Sequence, residues 1–330
     1  MISIKLKEEI QKNIDNKEQT ILYLNRRGYS TFVMCRDCGH TIKCKNCDIT
    51  MTYHLKQDKL KCHYCGYEEK KVIICPECQS TNIRYFGTGT QKLEQEINKM
   101  FPSATTIRMD IDTVTKKNSH EEILKKFKED NINILIGTQM VVKGHHFPNV
   151  TLVGVIAADS SLNIEDFRAN ERTFQILTQV AGRAGRENLD GRVIIQTYNP
   201  DSLAIELASK QDYKEFYESE IEIRKQLKYP PFCDIIMISF SSENEKNMIL
   251  QSKKIHQYLK NRVLSENIGI ILYSPVPSPI DKIKNKYRWR MIIKCLYNEQ
   301  INTLFQEMLE QNEIKKDVRI SIEINPTNMM

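Results

Sequence analysis

The stretch CRDCGHTIKCKNC at residues 35–47, together with CHYCGYEEKKVIICPEC at residues 62–78, holds eight of the ten cysteines of the chain. These cysteines form four Cys-x-x-Cys pairs, and such a pair turns two thiolates toward one tetrahedral metal ion. Two pairs complete a site of four thiolates, so the four pairs predict two structural zinc ions. Because a site closed by four thiolates leaves no position open for a substrate, we expect no chemistry at either zinc.

Cysteine spacing alone leaves three ways to combine the four pairs into two sites. A nested arrangement, with the outer pairs on one zinc and the inner pairs on the other, suits a hairpin-like excursion that starts and ends at the strand-like segments Ser30–Met34 and Asn82–Phe86. Gly39 and Gly66 directly follow the first and third pairs, where a tight turn often requires positive φ. A redox Cys-x-x-Cys motif is the competing interpretation, but it normally occurs once, at the start of a helix.

Length, charge and hydrophobic pattern exclude several classes of protein. The chain has 330 residues, enough for two or three domains, and its cysteines are too concentrated for a disulfide scaffold. Its net charge of +6 permits an anionic partner without requiring one. The sequence has neither a long apolar run nor a secretory signal. We therefore expect a reduced, cytoplasmic protein in which Cys233 and Cys295 are inert core residues.

The charge of the cysteine-rich segment bears on its role. Residues 31–85 hold nine Lys/Arg and six Asp/Glu. Eight thiolates and two Zn²⁺ would bring the segment to a net charge of about −1. Such a module is poorly suited to bulk electrostatic attraction of DNA, and we expect it to act by its shape or by contact with protein.

Hydrophobic periodicity predicts two further parts of the chain. Short strands alternate with helices of about ten residues up to residue 205, which is typical of a parallel α/β sheet, and the apolar strand at 150–157 indicates burial on both faces. From residue 229 the order strand, helix, strand, strand, helix, strand predicts a ferredoxin-like α+β domain, with Ile268–Val276 and Tyr287–Cys295 as its middle strands. The predicted domains are an α/β lobe at 1–34 and 81–228, an inserted zinc module at 35–80, and a C-terminal α+β domain at 229–330.

The segment QVAGRAGR at residues 179–186 is the strongest motif outside the cysteines. It reads as a helix that ends in glycines and carries Arg183 and Arg186, three residues apart. An arginine that reaches across a cleft stabilises the charge on a transferring phosphoryl group, so both arginines are candidate catalytic residues, and both are candidate nucleotide ligands together with Gln179. A solvated basic turn is the alternative interpretation for this segment on its own.

Two glycine-containing loops strengthen the interpretation as a phosphate-binding protein. Thr88 and Gly89 lie in GTGT, directly before a predicted helix, where backbone amides favour an anion. Thr138, Gln139 and Lys143 follow a strand end, which is where open α/β sheets bind ligands. These five residues are candidate DNA contacts, and Gly144 in the same loop is a candidate nucleotide contact. We do not expect the adjacent His145 and His146 to share a metal, because adjacent side chains point apart.

Residues 282–294, KIKNKYRWRMIIK, form a basic strand with two aromatic residues. Strand alternation places Tyr287, Trp289 and Met291 on one face and the arginines on the other. The candidate DNA contacts here are Lys284, Arg288 and Trp289, with the tryptophan available for base stacking. A strand with one core face and one solvated cationic face is the alternative.

These segments together resemble the PriA family of bacterial primosomal, replication-restart DNA helicases of superfamily 2. The resemblance runs from end to end of the chain and rests on the cysteine spacing and on these stretches: LNRRGYS (24–30), FGTGTQKLEQEI (86–97), ILIGTQMVVKGHHFPNVTLVGVIAADSSL (134–162), DFRANERTFQILTQVAGRAGRE (166–187), YPPF (229–232) and KYRWR (286–290).

The resemblance implies a RecA-like second helicase lobe and 3′→5′ translocation on DNA that uses ATP and Mg²⁺. It implies that one zinc is held by the outer cysteines Cys35, Cys38, Cys75 and Cys78, and the other by the inner cysteines Cys44, Cys47, Cys62 and Cys65. The implied role is restart of stalled replication forks through primosome assembly. The implied partners are branched, fork-like and single-stranded DNA, single-stranded DNA-binding protein and other primosome proteins, in a cytoplasmic, nucleoid-associated setting.

One departure from the family is large. The phosphate loop GxxxxGK[ST] and the DExx box of a first helicase lobe do not occur, and Met1 stands where the second lobe of the family begins, as in a truncation or a fragment. We therefore expect the isolated chain not to hydrolyse ATP. The alternative function is a non-enzymatic zinc module that binds DNA or replication proteins. A zinc-ribbon transcription or translation factor is a third possibility, which the arginine motif disfavours.

Overall fold

The computed structural model describes residues 2–24, 33–46, 49–54, 57–63, 65–85, 90–110, 119–138, 147–184 and 190–329. The helices and strands in these residues are α1 (Ile4–Asp15), β1 (Gln19–Leu24), β2 (Val33–Cys35), β3 (Thr52–His54), β4 (Lys59–Lys61), β5 (Glu68–Lys70), β6 (Ile83–Tyr85), α2 (Thr90–Met100), β7 (Thr106–Met109), α3 (Ser119–Glu129), β8 (Ile134–Gly137), β9 (Val150–Ile156), α4 (Asp159–Leu162), α5 (Ala169–Ala181), β10 (Arg192–Ile195), α6 (Leu203–Lys210), α7 (Tyr213–Gln226), β11 (Asp234–Ser242), α8 (Glu245–Ser265), β12 (Ile271–Leu272), β13 (Val276–Ile283), β14 (Lys286–Cys295), α9 (Glu299–Gln311) and β15 (Arg319–Ile324).

Five parallel strands form the first sheet, in the order β10-β9-β1-β8-β7. All residues of β1 and β9 are buried, because one apolar cluster covers each face of the sheet. Ser3 begins α1 by accepting a hydrogen bond from the backbone of Leu6, and this helix packs on one of the two faces. The sequence prediction of a parallel sheet buried on both faces is confirmed.

The cysteine-rich segment leaves and re-enters the chain through two antiparallel strands. In this pair, Val33 lies opposite Tyr85 and Cys35 lies opposite Ile83, so β2 and β6 are the two ends of the excursion that the sequence predicted. Between them, β3, β4 and β5 form a small antiparallel sheet of their own.

The C-terminal sheet is antiparallel, with the order β12-β14-β11-β15 and with β13 also paired to β14. One face packs against α8 and α9 in an apolar cluster around Ile238, Ile255 and Leu304. Its other face joins a second cluster, in which Ile235 and Ile292 pack with Met51 and Leu60 of the cysteine-rich segment. This sheet is therefore covered on both sides.

The predicted strand Ile268–Val276 is confirmed only at Ile271–Leu272 and at Val276, and the rest of it is wrong. The structure instead has the two-residue strand β12 and, after Pro275, the longer strand β13. Prolines at 275, 277 and 279 confine this segment to a sheet edge. Lys284 and Asn285 then form a two-residue turn, with positive φ of 47° and 65°, that joins β13 to β14.

Two helices between the sheets were not predicted from the sequence, namely α6 and α7. Their apolar residues join the cluster that covers one face of the first sheet and that also contains Phe174 and Leu177 of α5, and a local pattern does not reveal such distant contacts. Within the described ranges, no helix combines the length and apolar character needed to cross a membrane.

Candidate functional site

The outer cysteines form one compact cluster. The sulfur of Cys35 lies 3.5 Å from that of Cys78, and the sulfur of Cys38 lies 3.6 Å from that of Cys75. All four sulfur atoms fall within 4.8 Å of one another. These two pairs are separated in sequence by the whole inner segment, and the β2–β6 pairing brings them together.

Cysteines of the inner pairs form a second cluster. The sulfur atoms of Cys44, Cys62 and Cys65 lie within 4.8 Å of one another, and Cys44 and Cys65 are 3.6 Å apart. The fourth predicted ligand, Cys47, lies outside the described residues. Among the described cysteines, the grouping is therefore the nested one, outer with outer and inner with inner.

All four cysteine pairs share one backbone turn. The amide of the first cysteine donates to the carbonyl five residues later, as in Cys35 to His40, Cys44 to Ile49, Cys62 to Tyr67 and Cys75 to Ser80, over 2.8–2.9 Å. In three of the turns the residue after the second cysteine has positive φ: 75° at Gly39, 78° at Gly66 and 61° at Gln79. In the three pairs whose cysteines are both described, this turn brings the two sulfur atoms into the same cluster.

The sulfur geometry fits tetrahedral zinc. Four sulfurs at about 2.3 Å from a central zinc lie about 3.8 Å apart, whereas a disulfide needs about 2.05 Å. The measured separations of 3.5–3.6 Å match the first case. Burial raises the pKa of the Cys35 thiol, but hydrogen bonds from the backbone of Cys38 and Asp37 outweigh it and lower the pKa to about 7. Hydrogen bonds among the clustered thiols shift the pKa of Cys38 and of Cys78 in the opposite direction, upward, so one thiolate forms first and a bound cation is needed to hold all four.

Each cluster contacts a different part of the chain. A Cβ atom on Gly39, beside the outer cluster, would overlap the backbone carbonyl of Tyr198, in the segment that follows β10. A Cβ atom on Gly66, beside the inner cluster, would lie 2.8 Å from Cγ1 of Val276, at the start of β13. The turn at Gly39 therefore contacts the segment after β10, and the turn at Gly66 contacts the C-terminal sheet.

Gln179 and Arg183 lie at the C-terminal end of α5 and line a cavity there. This cavity of about 680 Å³ lies between α5 and α7, and its apolar wall includes Phe174, Phe216 and Tyr217. Phe174 and Phe216 stack with ring centroids 4.3 Å apart. Arg186 lies outside the described residues, so the structure gives the position of only one of the two predicted arginines.

An ion-pair cluster ties α5 to α7 beside this cavity. Arg224 donates to Glu171 over 2.6 Å and to Glu220 over 3.0 Å, and its guanidinium lies 5.2 Å from the centre of the Phe167 ring. Burial raises the pKa of Glu220, and the Arg224 bonds oppose that effect. Because α7 precedes the C-terminal sheet in the chain, Arg224 links the segment that leads into that sheet to α5, which ends two residues before Arg183.

Of the predicted loop residues, the structure describes Thr138. It directly follows β8, and its amide lies 3.4 Å from the carbonyl oxygen of Met109. Thr88, Gly89, Gln139, Lys143 and Gly144 lie outside the described residues, as do His145 and His146.

The basic strand has two different environments. Lys284 is exposed at the hairpin turn, and Arg288 is half-buried further along β14. Trp289 packs against the C-terminal core and also lines a cavity of about 550 Å³ between β13, β14 and the cysteine-rich module. The alternative prediction, a solvated cationic face that includes Arg290, is wrong for this residue, because Arg290 is only 1% exposed.

Sequence analysis missed a buried polar cluster between the two sheets. The Arg290 guanidinium donates two hydrogen bonds, of 2.9 and 2.7 Å, to the backbone carbonyl of His63. Glu165 is 2% exposed, with one carboxylate oxygen 4.0 Å from Nη2 of Arg290 and the other 4.0 Å from Nε2 of His63. Strand alternation placed Arg290 on the face of β14 opposite to the face of Trp289. No local signal showed that the arginine face would be covered.

Two family models match this chain. One, described as "Primosomal protein N C-terminal domain", matches residues 225–327, and the other, described as "PriA DNA helicase Cys-rich region (CRR) domain", matches residues 44–70. Together they cover the C-terminal sheet and the inner cysteine cluster.

Curated relatives match over nearly the whole chain. "Replication restart protein PriA" of Bacillus subtilis (strain 168) is 47% identical over 333 residues, which is 100% of this chain and 41% of the relative. The proteins of the same name from Borreliella burgdorferi and Synechocystis are each 38% identical, over 100% and 95% of this chain and 49% and 38% of the relatives. The chain therefore spans less than half the length of these relatives.

Among solved structures, the de novo designed protein Foldit4 matches 29% of this chain at 14% identity, with a TM-score of 0.22 that is too low to bear on the fold.

Proposed function

We propose, from the similarity of the chain to replication restart proteins PriA, that it belongs to their family and acts as the C-terminal part of an ATP-dependent 3′→5′ DNA helicase that restarts stalled replication forks. The observation that carries the proposal is the 47% identity to the Bacillus subtilis protein along the entire chain. The two cysteine clusters support it, since the second family model describes a cysteine-rich region of a DNA helicase.

The proposed architecture has three parts. The parallel sheet is a RecA-like second helicase lobe at 1–34 and 81–228, and residues 35–80 are a zinc module inserted in it. Residues 229–330 are a ferredoxin-like domain. The strand order β12-β14-β11-β15, with one helix between β11 and β12 and another between β14 and β15, supports this last assignment.

Cysteine side chains would hold two structural zinc ions. Cys35, Cys38, Cys75 and Cys78 hold one, and Cys44, Cys62 and Cys65 hold the other together with Cys47. Zinc supplies no chemistry here beyond fixing the fold, because four thiolates fill its coordination sphere.

The proposed nucleotide contacts are Gln179, Arg183, Arg186 and Gly144. In this proposal Arg183 and Arg186 reach across a cleft to a phosphoryl group held by a first helicase lobe and stabilise the negative charge that develops there. The support is the position of Arg183 at the end of α5, where a helix terminus can present a side chain to a neighbouring lobe. The isolated chain carries no phosphate loop, so we propose that it lacks ATPase activity without that lobe.

The proposed DNA contacts are two groups of residues. Thr88, Gly89, Thr138, Gln139 and Lys143 contact the DNA backbone from the lobe, while Lys284, Arg288 and Trp289 contact it from the C-terminal hairpin. Support comes from the exposed basic turn at Lys284. We further propose fork-like DNA, single-stranded DNA-binding protein and primosome proteins as partners in a cytoplasmic, nucleoid-associated setting.

A phosphate-release assay with single-stranded DNA tests the proposal. The chain alone should show no turnover, and addition of a separately expressed N-terminal segment of the Bacillus subtilis relative should restore DNA-stimulated hydrolysis. Arg183→Ala should reduce the restored ATPase activity by about 10³-fold or more. Robust turnover by the chain alone, or full activity of the Arg183→Ala mixture, would overturn it. If no mixture is active, a single-chain fusion of the same two segments is assayed in the same way. An inactive fusion that binds both ATP and DNA would also overturn the proposed function.

A further inference from the structure

His63 is the point at which the inner cysteine cluster meets the C-terminal hairpin. It directly follows Cys62, and its side chain is 1% exposed. The backbone carbonyl of His63 accepts the two hydrogen bonds from Arg290 on β14, and Nδ1 of its ring lies 2.8 Å from the carbonyl oxygen of Pro277 on β13. A single residue of the cysteine turn is therefore bonded to both strands of the hairpin.

The hydrogen-bond partners assign the tautomer of His63. A carbonyl oxygen only accepts, so Nδ1 carries the proton and donates it to Pro277. Nε2 is then the acceptor for Nε2–H of His54, which lies 2.9 Å away. A neutral ring in this orientation places His63 firmly between the hairpin and β3.

Burial makes the Arg290 contact hard to replace. The guanidinium cannot lose its charge, and a buried cation that loses its acceptors is strongly unfavourable. Both carboxylate oxygens of Glu165, 4.0 Å away at the nearest, have no hydrogen-bond partner among the described residues, so this carboxyl group does not replace the His63 carbonyl at bonding distance. The position of that carbonyl depends on the turn from Cys62 to Gly66, which is closed by the Gly66 amide on the Cys62 carbonyl at 2.9 Å.

We infer that Arg290 is a positioning residue that couples the inner cysteine cluster to the basic hairpin of residues 276–295. A metal ion that closes the turn from Cys62 to Cys65 holds the His63 carbonyl where Arg290 needs it, and thereby holds the strand that carries Arg288 and the basic turn at Lys284. The coupling acts in both directions: if the metal stabilises the Arg290 contact, loss of that contact weakens metal binding at the inner cluster. The inference rests on the proposed function only in taking zinc as the metal of the inner cluster.

Outer-cluster geometry makes the coupling selective. Gly39 lies in the first turn of the outer cluster. The nearest atoms to a Cβ atom on Gly39 belong to Tyr198, after β10, and none of them belongs to the hairpin. Arg290 should therefore affect one zinc ion of the two.

Competition for zinc with a coloured chelator at equilibrium, in the full chain, tests the inference. Arg290→Met should weaken binding of one zinc equivalent by about 10-fold, within the range typical of coupled sites, and leave the other unchanged. Lys286→Met removes an exposed charge from the same strand and should leave the affinity for both equivalents as in the unmodified protein. Equal weakening of both zincs by Arg290→Met, or weakening of neither, would overturn the inference.

Hydrogen exchange measures the coupling in the opposite direction and covers the case in which Arg290→Met does not fold. Cys62→Ser should speed amide exchange across residues 276–295, whereas Cys75→Ser, which disrupts the outer cluster, should not. Equal effects of the two variants on the hairpin would also overturn the inference. Neither measurement uses ATP or DNA, so failure of the proposed helicase function would not alter these results.

Discussion

Gly39 and Tyr198 are in backbone contact, although 158 residues separate them in the chain, and no side chain fits between them. The guanidinium of Arg36 lies 4.9 Å from the centre of the Tyr198 ring, so the same turn also covers the tyrosine side chain. Together these contacts fix the outer cysteine cluster against the end of β10. The outer cluster is thus attached to the parallel sheet by shape, in a place where a methyl group is not tolerated.

Gly39→Ala should destabilise this contact. The substitution places a Cβ atom at a residue with φ of 75°, which costs about 1–2 kcal/mol, and pushes it into the Tyr198 carbonyl as well. We expect the free energy of unfolding to fall by about 2–4 kcal/mol in denaturant titrations. Gly269→Ala is the matched control, since a Cβ atom there meets nothing within 4 Å. If both variants unfold at the same denaturant concentration, the contact with Tyr198 contributes nothing.

Metal analysis of the purified chain should find two zinc equivalents. Cys75→Ser removes an outer ligand and Cys62→Ser an inner one, so each variant should retain about one equivalent, because the two clusters share no sulfur. Elemental analysis by mass spectrometry after dialysis gives the count. Loss of both zincs from either single variant would show that the clusters are not independent sites.

Arg224→Met should loosen the packing of α7 on α5, the helix that ends two residues before Arg183. The change leaves Glu171 and Glu220 without their shared cation, and Glu220 is largely buried. We expect about 2 kcal/mol of lost stability, less than a fully buried pair because Glu171 is partly exposed. Lys225→Met is the control, since Lys225 is exposed on the same helix. Thermal unfolding of both variants gives the comparison, and equal midpoints would contradict the structural role of Arg224.

Glu165 should make stability depend on pH. Burial raises the pKa of its carboxyl group to about 8, against an ordinary value of 4.5, although the nearby Arg290 opposes the shift. The folded protein then keeps a proton that the unfolded chain has lost, so this group's contribution to stability falls as pH rises from about 4.5 to about 8.

Glu165→Gln resembles the protonated acid and should remove that dependence. Denaturant titrations between about pH 6.5 and pH 9, where thiolates still hold zinc, should show a smaller loss of stability with rising pH in the variant than in the unmodified protein. Parallel pH profiles, or a variant far less stable near neutral pH, would mean that the carboxyl group is ionised beside Arg290.

The basic hairpin should contribute to DNA affinity through phosphate contacts. Lys284→Ala and Arg288→Ala should each reduce the slope of log affinity against log salt by about 1. Lys253→Ala removes an exposed charge from α8 and should leave the slope unchanged. Fluorescence anisotropy with labelled single-stranded DNA at several salt concentrations measures the slopes. Slopes equal to that of the unmodified protein in both hairpin variants would assign these side chains to a solvated surface.

Local patterns determined much of this protein. Two cysteines separated by two residues are sufficient to predict a metal-binding turn, because the geometry of each turn is set by a backbone hydrogen bond that spans five residues. The apolar run of β9 likewise predicted a strand buried on both faces. Helix α7 was not predicted, since its buried residue Phe216 finds its partner Phe174 on another helix.

The sequence by itself also determined that Arg288 and Arg290 share one face of β14, because side chains of a strand alternate. Only the tertiary structure decided that one is half-buried and the other completely covered. The acceptor of Arg290 is a carbonyl 227 residues earlier in the chain, at His63. What covers a strand face is set by packing of distant segments, and such contacts have no counterpart in the neighbouring sequence.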